Sequence, residues 1–201
     1  AAAYDGIYTK TRGTSPFDNW VTLPRIVEEQ DFEGVDTMLP GYLDSLPEGW
    51  IQTGTEDTYN YVRLDTIYCY SGDYSLLIHS SGLGGSNVAA QYELPDLSNF
   101  ICTFQFRPIT HSGIIRIKNR LELKIAYSYG QMRYYTPLDG WVVIDGSGVN
   151  GGEFNELKFL LNFKDSSGVI ITPSSIDTVK LYTAEDDTAR VVFSSEDHGY
   201  G

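Results

Sequence analysis

The side chains that could carry chemistry here are three histidines, two cysteines, 27 carboxylates and a dense set of aromatic rings. Nucleophilic catalysis needs a base beside its nucleophile, and none of His79, His111 or His198 lies in such a context. The chain has no G-x-S-x-G, H-E-x-x-H, P-loop or dinucleotide fingerprint. His79, in Leu77-Ile78-His79-Ser80, reads as a structural or surface histidine, and His198 belongs to the C-terminal tail. Glycoside hydrolysis needs two carboxylates roughly 5–10 Å apart across a sugar cleft, and no local spacing pairs two acids in that way. The chain is therefore read as non-enzymatic.

Binding chemistry is better represented. Tyrosine occurs 15 times, beside 9 Phe and 3 Trp, a composition that favours strands and aromatic recognition surfaces. Met132-Arg133-Tyr134-Tyr135, followed by Trp141, can line the open face of a sheet. Sugars stack their C–H faces on such rings, and Arg133, Gln131 or Asp139 would take the hydroxyls. Alternatively, some of these rings fill the core. Neighbouring strand residues face opposite sides, so at least one of Tyr134 and Tyr135 points outward.

The net charge of −13 argues against nucleic acid, because 14 basic residues are spread among 27 acidic ones. No apolar run approaches the ~18 residues of a membrane span. Cys69 and Cys102 match no zinc spacing. They are expected in strands, either bridged in an oxidising compartment or free and buried. The chain begins Ala1-Ala2-Ala3, as after signal cleavage or after removal of Met.

Positioning falls to short β-rich runs separated by Gly, Ser, Asn and Asp. In Asn155–Phe163, Leu157, Phe159, Leu161 and Phe163 alternate against Lys158 and Asn162. Leu121, Leu123 and Ile125 oppose Glu122 and Lys124, while Cys102, Phe104 and Phe106 oppose Thr103, Gln105 and Arg107. Further strands are expected at Val62–Tyr68, Tyr74–Ser80, Val88–Leu94, Gly113–Lys118, Gln131–Thr136, Trp141–Ile144, Val169–Thr172, Thr178–Thr183 and Arg190–Phe193. Two antiparallel sheets with inward apolar faces would hold them all. Lys118-Asn119-Arg120 and Ser128-Tyr129-Gly130 read as hairpin turns, and Gly146–Gly152 as a flexible loop. Residues 1–30 form an N-terminal arm without clean alternation, 31–184 the sandwich, and 185–201 a C-terminal strand and acidic tail.

An ordered set of motifs adds a family likeness. Asp31-Phe32-Glu33-Gly34 is followed by Leu46-Pro47-Glu48-Gly49-Trp50, then Tyr70-Ser71-Gly72-Asp73-Tyr74-Ser75-Leu76, and finally Ile176-Asp177-Thr178-Val179-Lys180-Leu181-Tyr182. Over residues 31–184 the chain resembles jelly-roll β-sandwiches of the carbohydrate-binding-module and laminin-G-like (concanavalin-like) type. The resemblance implies an all-β, antiparallel two-sheet jelly roll, here with an extended N-terminal arm. It also implies a structural Ca2+ held by Glu33 and Asp177, with carbonyls near Ser71 and Asp73; otherwise these are ordinary strand-end carboxylates. Laminarinase-type enzymes of that architecture carry E-x-D-x-x-E on one strand, which neither Glu153-Phe154-Asn155-Glu156 nor Leu121-Glu122-Leu123 matches.

Two functions remain in view. In the first, the chain is a structural or assembly module of a virion or extracellular surface. Its arm docks on self or another protein through Tyr4, Tyr8, Phe17 and Trp20, unless the arm folds back on its own domain. In the second, it is a carbohydrate-binding module or lectin using the aromatic sheet face. Trp50 is expected to pack under a loop.

Overall fold

A computed structural model describes residues 46, 49–54, 60–71, 75–80, 88–94, 98–108, 112–128 and 130–194. Fourteen strands occur among them, and no helix. In chain order they are β1 (Trp50–Gly54), β2 (Asn60–Asp65), β3 (Ser75–Ser80), β4 (Val88–Glu93), β5 (Asn99–Phe106), β6 (Ser112–Lys118) and β7 (Leu121–Ser128). There follow β8 (Gln131–Thr136), β9 (Gly140–Val143), β10 (Asn155–Asn162), β11 (Ser167–Ile171), β12 (Ile176–Lys180), β13 (Tyr182–Thr183) and β14 (Arg190–Ser194).

All pairings given by the register are antiparallel. One large sheet runs β1-β4-β14-β6-β7-β8-β9, with β13 paired to β7. A second sheet runs β12-β11-β10-β5, and β2-β3 form a separate hairpin.

The alternation read from the sequence sets the core. Leu157, Phe159 and Leu161 of β10 are fully buried, as are Ile117 of β6 and Ile170 of β11, and Leu123 and Ile125 of β7 are nearly so. They meet in one apolar cluster between the two sheets, joined by Phe104 and Phe106 of β5 and Phe193 of β14. The chain is thus an all-β sandwich. The β2-β3 hairpin packs on β4 through a smaller cluster of Val62, Val88 and Ala90, with Leu76 and Ile78 at its margin.

Most of the strands expected from sequence are present within a few residues of their predicted ends, with informative exceptions. The segment Trp50–Gly54 is an edge strand. Trp50 stacks on Phe193 at 5.9 Å and tilts against Tyr92 at 5.4 Å. Gly49, at φ 86°, lets that entry pass, since a Cβ there would stand 2.6 Å from the Tyr92 ring. Thr178–Thr183 is two strands: after β12 the chain leaves one sheet, buries Leu181, and joins the other as β13. Cys69 lies in the β2–β3 connection and not in a strand, while Cys102 lies in β5. The two are not bridged to each other, and the Cys69 thiol donates to the Asp65 carbonyl at 3.3 Å. Gly146–Gly152 is tied down, with Ser147 and Val149 buried and the Gly152 amide donating to the Pro108 carbonyl at 2.6 Å.

Candidate functional site

Register across the large sheet places one row of side chains on its outer face, away from the core. Trp141 of β9 pairs with Tyr135 of β8. One step beyond the Ile125–Tyr134 pair, Tyr135 adjoins Lys124 of β7. Lys124 pairs with Arg116 of β6, Arg116 with Val192 of β14, and Val192 with Gln91 of β4. Strands sit about 4.8 Å apart, so Trp141 and Arg116 are separated by about 14 Å. A neighbouring row runs Tyr182 (β13), Glu122, Lys118, Arg190 and Glu93.

The first half of this face is aromatic. Tyr135 meets Trp141 edge-on at 5.5 Å and Tyr182 edge-on at 5.5 Å. The Lys124 ammonium lies 5.7 Å from the Tyr135 ring centre and 5.3 Å from that of Trp141, within cation–π range. Burial pushes the Tyr182 phenol well up, and the Glu122 carboxylate adds to it, so this hydroxyl stays protonated and can donate.

Of the binding residues expected from sequence, Tyr135, Trp141 and Arg133 share this face, and the Arg133 guanidinium donates to Gln131 Oε1 at 3.0 Å. Tyr134 is a correction: strand alternation turns it inward, where it packs on the core. Tyr182 was legible only as part of the closing strand motif. Its place beside Tyr135 follows from the sheet switch at Leu181.

The second half is ionic. Asp186, on the β13–β14 connection, accepts from Lys118 Nζ at 2.8 Å and from Arg190 Nη2 at 2.6 Å. Those bonds, that of Lys118 foremost, hold the Asp186 carboxyl below its ordinary pKa. Glu122 is buried, with Oε1 3.8 Å from Arg116 Nε. Its pKa moves the other way: desolvation raises it, and Arg116, Lys118 and Lys124 only partly offset that.

The sign of the Glu122 shift gives a prediction. A carboxyl whose folded pKa is raised costs stability above that pKa, and the cost vanishes below the unfolded value. Glu122→Gln should therefore leave the melting temperature at pH 7 equal or higher, with no such gain in acid. A clear fall in thermal melting at pH 7 would mean that its charge is needed by the surrounding cations.

Of the calcium set implied by resemblance, Glu33 and Asp73 lie outside the described residues, as do Tyr4, Tyr8, Phe17 and Trp20. Ser71 is exposed in the β2–β3 connection. Asp177, on β12, accepts from Ser175 Oγ at 2.8 Å. Among the described residues no three His, Cys, Asp or Glu side chains gather as metal ligands.

Fold and face together define a β-sandwich with an aromatic and cation-bearing outer sheet surface. No family model matches the chain, and no curated protein matches it. A solved structure of a sialidase is similar in fold, with a TM-score of 0.56 over 74% of this chain at 11% identity. The match spans 13% of that sialidase chain. No helix among the described residues is long and apolar enough to cross a membrane.

Proposed function

We propose that the chain is a non-catalytic carbohydrate-binding sandwich, of the jelly-roll binding-module type, whose outer sheet face receives the sugar. The observation that carries this reading is the Tyr135–Trp141–Tyr182 cluster flanked by Lys124, on a face that the core does not need. Rings of this kind offer apolar faces to a pyranose, with cations and a phenol close by for hydroxyls. The fold likeness to a carbohydrate-active protein supports the same class. A binding role without catalysis is supported by two of the acids on this face, Glu122 and Asp186, each of which is engaged with cations. His79 packs edge-on against Tyr61 at 4.9 Å.

The test is a panel of oligosaccharides against the full chain, read by immobilised-glycan binding and calorimetry. Trp141→Ala should weaken the sugars that bind by about tenfold or more, with melting little changed. Equal affinity in the variant would remove the sheet face from the binding role.

A second reading, assembly on a virion or extracellular surface, is favoured by the β2–β3 connection. There Ile67 is 67% and Tyr70 60% exposed, and the Arg107 guanidinium stacks on the half-exposed Tyr68 at 3.8 Å. Exposed aromatic and aliphatic groups held by a cation are common anchors of protein contacts. If this reading holds, light scattering should find multimers of the full chain that dissociate in an Ile67→Ser/Tyr70→Ser variant. A monomer at all concentrations would exclude self-assembly.

A further inference from the structure

Beside the aromatic cluster, the outer face holds a groove of about 250 Å³. Arg116, Lys118, Arg190, Gln91, Thr53 and Ser194 line it, and no carboxylate does among the described residues. Three cations converge here in a chain whose acids outnumber its bases by 27 to 14, so general basicity does not account for the groove. The acids nearby act from its rim: Asp186 on Lys118 and Arg190, Glu122 near Arg116, and Glu93 opposite Arg190 in the register.

Two donors of the lining residues remain unused. Arg190 gives Nη2 to Asp186 and Nη1 to Gln91 Oε1 at 3.4 Å. Its Nε is buried without a hydrogen-bond partner among the described residues, and so is Ser194 Oγ. Buried donors of this kind are disfavoured until an acceptor arrives. An oxyanion offers several acceptors at once, and guanidinium groups bind it with charge-assisted bonds.

We infer that this groove seats the acid group of an anionic saccharide, a carboxylate or a sulfate. The row Trp141–Tyr135–Lys124–Arg116 runs unbroken from the rings to the groove, so one ligand spans both. This deepens the carbohydrate reading and rests on it: the rings hold the sugar's apolar face, and Arg116, Lys118 and Arg190 select its charge. Lys118 is nearly fully buried and, like Arg190, is held by Asp186 at the rim.

The test uses the full chain in calorimetric titration against two matched pairs. One pair is a hexameric oligogalacturonate and its methyl ester; the other is a sulfated oligosaccharide and its desulfated form. The acidic member of at least one pair should bind about tenfold tighter than its neutral partner, and the pair that shows the gap identifies the group. Arg116→Gln/Arg190→Gln should erase the gap while keeping the neutral affinity. Gln91→Glu, which sets a carboxylate beside Arg190 without removing a cation, should erase it too and covers the case that the double variant does not fold.

Acidic and neutral forms bound equally, with Trp141 still required, would overturn this inference and leave the carbohydrate reading standing. An acid preference that survives in the variants would also overturn it, because the groove would then not be its seat. No binding in either pair would overturn both.

Discussion

Phe159→Ala should destabilise the sandwich by about 3–5 kcal/mol, the usual cost of emptying a phenylalanine site in a core that cannot collapse around it. Phe159 is fully buried on β10, one of the two inner strands of its four-stranded sheet. It pairs with Cys102 on one side and Ile170 on the other, and its ring lies 5.7 Å from Phe104. The neighbourhood is dry enough that burial pushes the Cys102 thiol well up, against a smaller lowering by the Phe159 backbone. Single domains are stable by only about 5–15 kcal/mol in total, so the loss should appear as a large drop in the urea midpoint with the slope retained. Ile176→Ala, on β12 and 68% exposed, should change stability by no more than about 0.5 kcal/mol. Similar midpoints for the two variants would mean that the sandwich core is not where β10 places it.

That contrast shows why much of the fold was legible. Where one face of a strand is buried and the other solvated, residue types must alternate, and β5, β7 and β10 do so over most of their length, with Ile101, Ala126 and Leu160 as the apolar residues that break the pattern. What escaped were features that no local pattern encodes. Trp50-Ile51-Gln52-Thr53-Gly54 alternates poorly because an edge strand is held by one neighbour, β4. The sheet switch at Leu181 was invisible because Val179 and Leu181 keep the alternation through the break, and both are buried.

The candidate site divides in the same way. Tyr135 and Trp141 could be found because they lie six residues apart on one hairpin. The cationic groove could not, since Gln91 and Arg190 stand 99 residues apart. They meet because β14, read only as a C-terminal strand before an acidic tail, inserts between β4 and β6. A binding surface on a sheet built from distant strands leaves no spacing to read, whereas one on a hairpin does.

Asn155→Ala is expected to cost about 2–3 kcal/mol, far more than loss of a surface amide, because one buried side chain satisfies four backbone groups. Asn155 Oδ1 accepts from the Asn150 amide at 2.9 Å. Its Nδ2 reaches the carbonyls of Asn150 at 2.9 Å, Glu153 at 2.7 Å and Phe106 at 3.4 Å. These bonds fasten the β9–β10 connection to the end of β5, and on that connection the Gly152 carbonyl accepts from Arg107 Nε. Asp tests the chemistry. Asn155→Asp keeps the acceptor for the Asn150 amide but turns the donor into an oxygen facing carbonyls. Burial and those carbonyls would raise its folded pKa, so the ionised form costs stability above that pKa and the cost is lost as pH falls. The Asp variant should therefore be at least as unstable as the Ala variant at pH 7 and recover relative to it at pH 4, as followed by thermal melting. Equal melting of both variants at the two pH values would show that the amide donates nothing of consequence there, and that the connection is held by its other contacts, buried Val149 and the bonds of Gly152 to Pro108 and Arg107 among them.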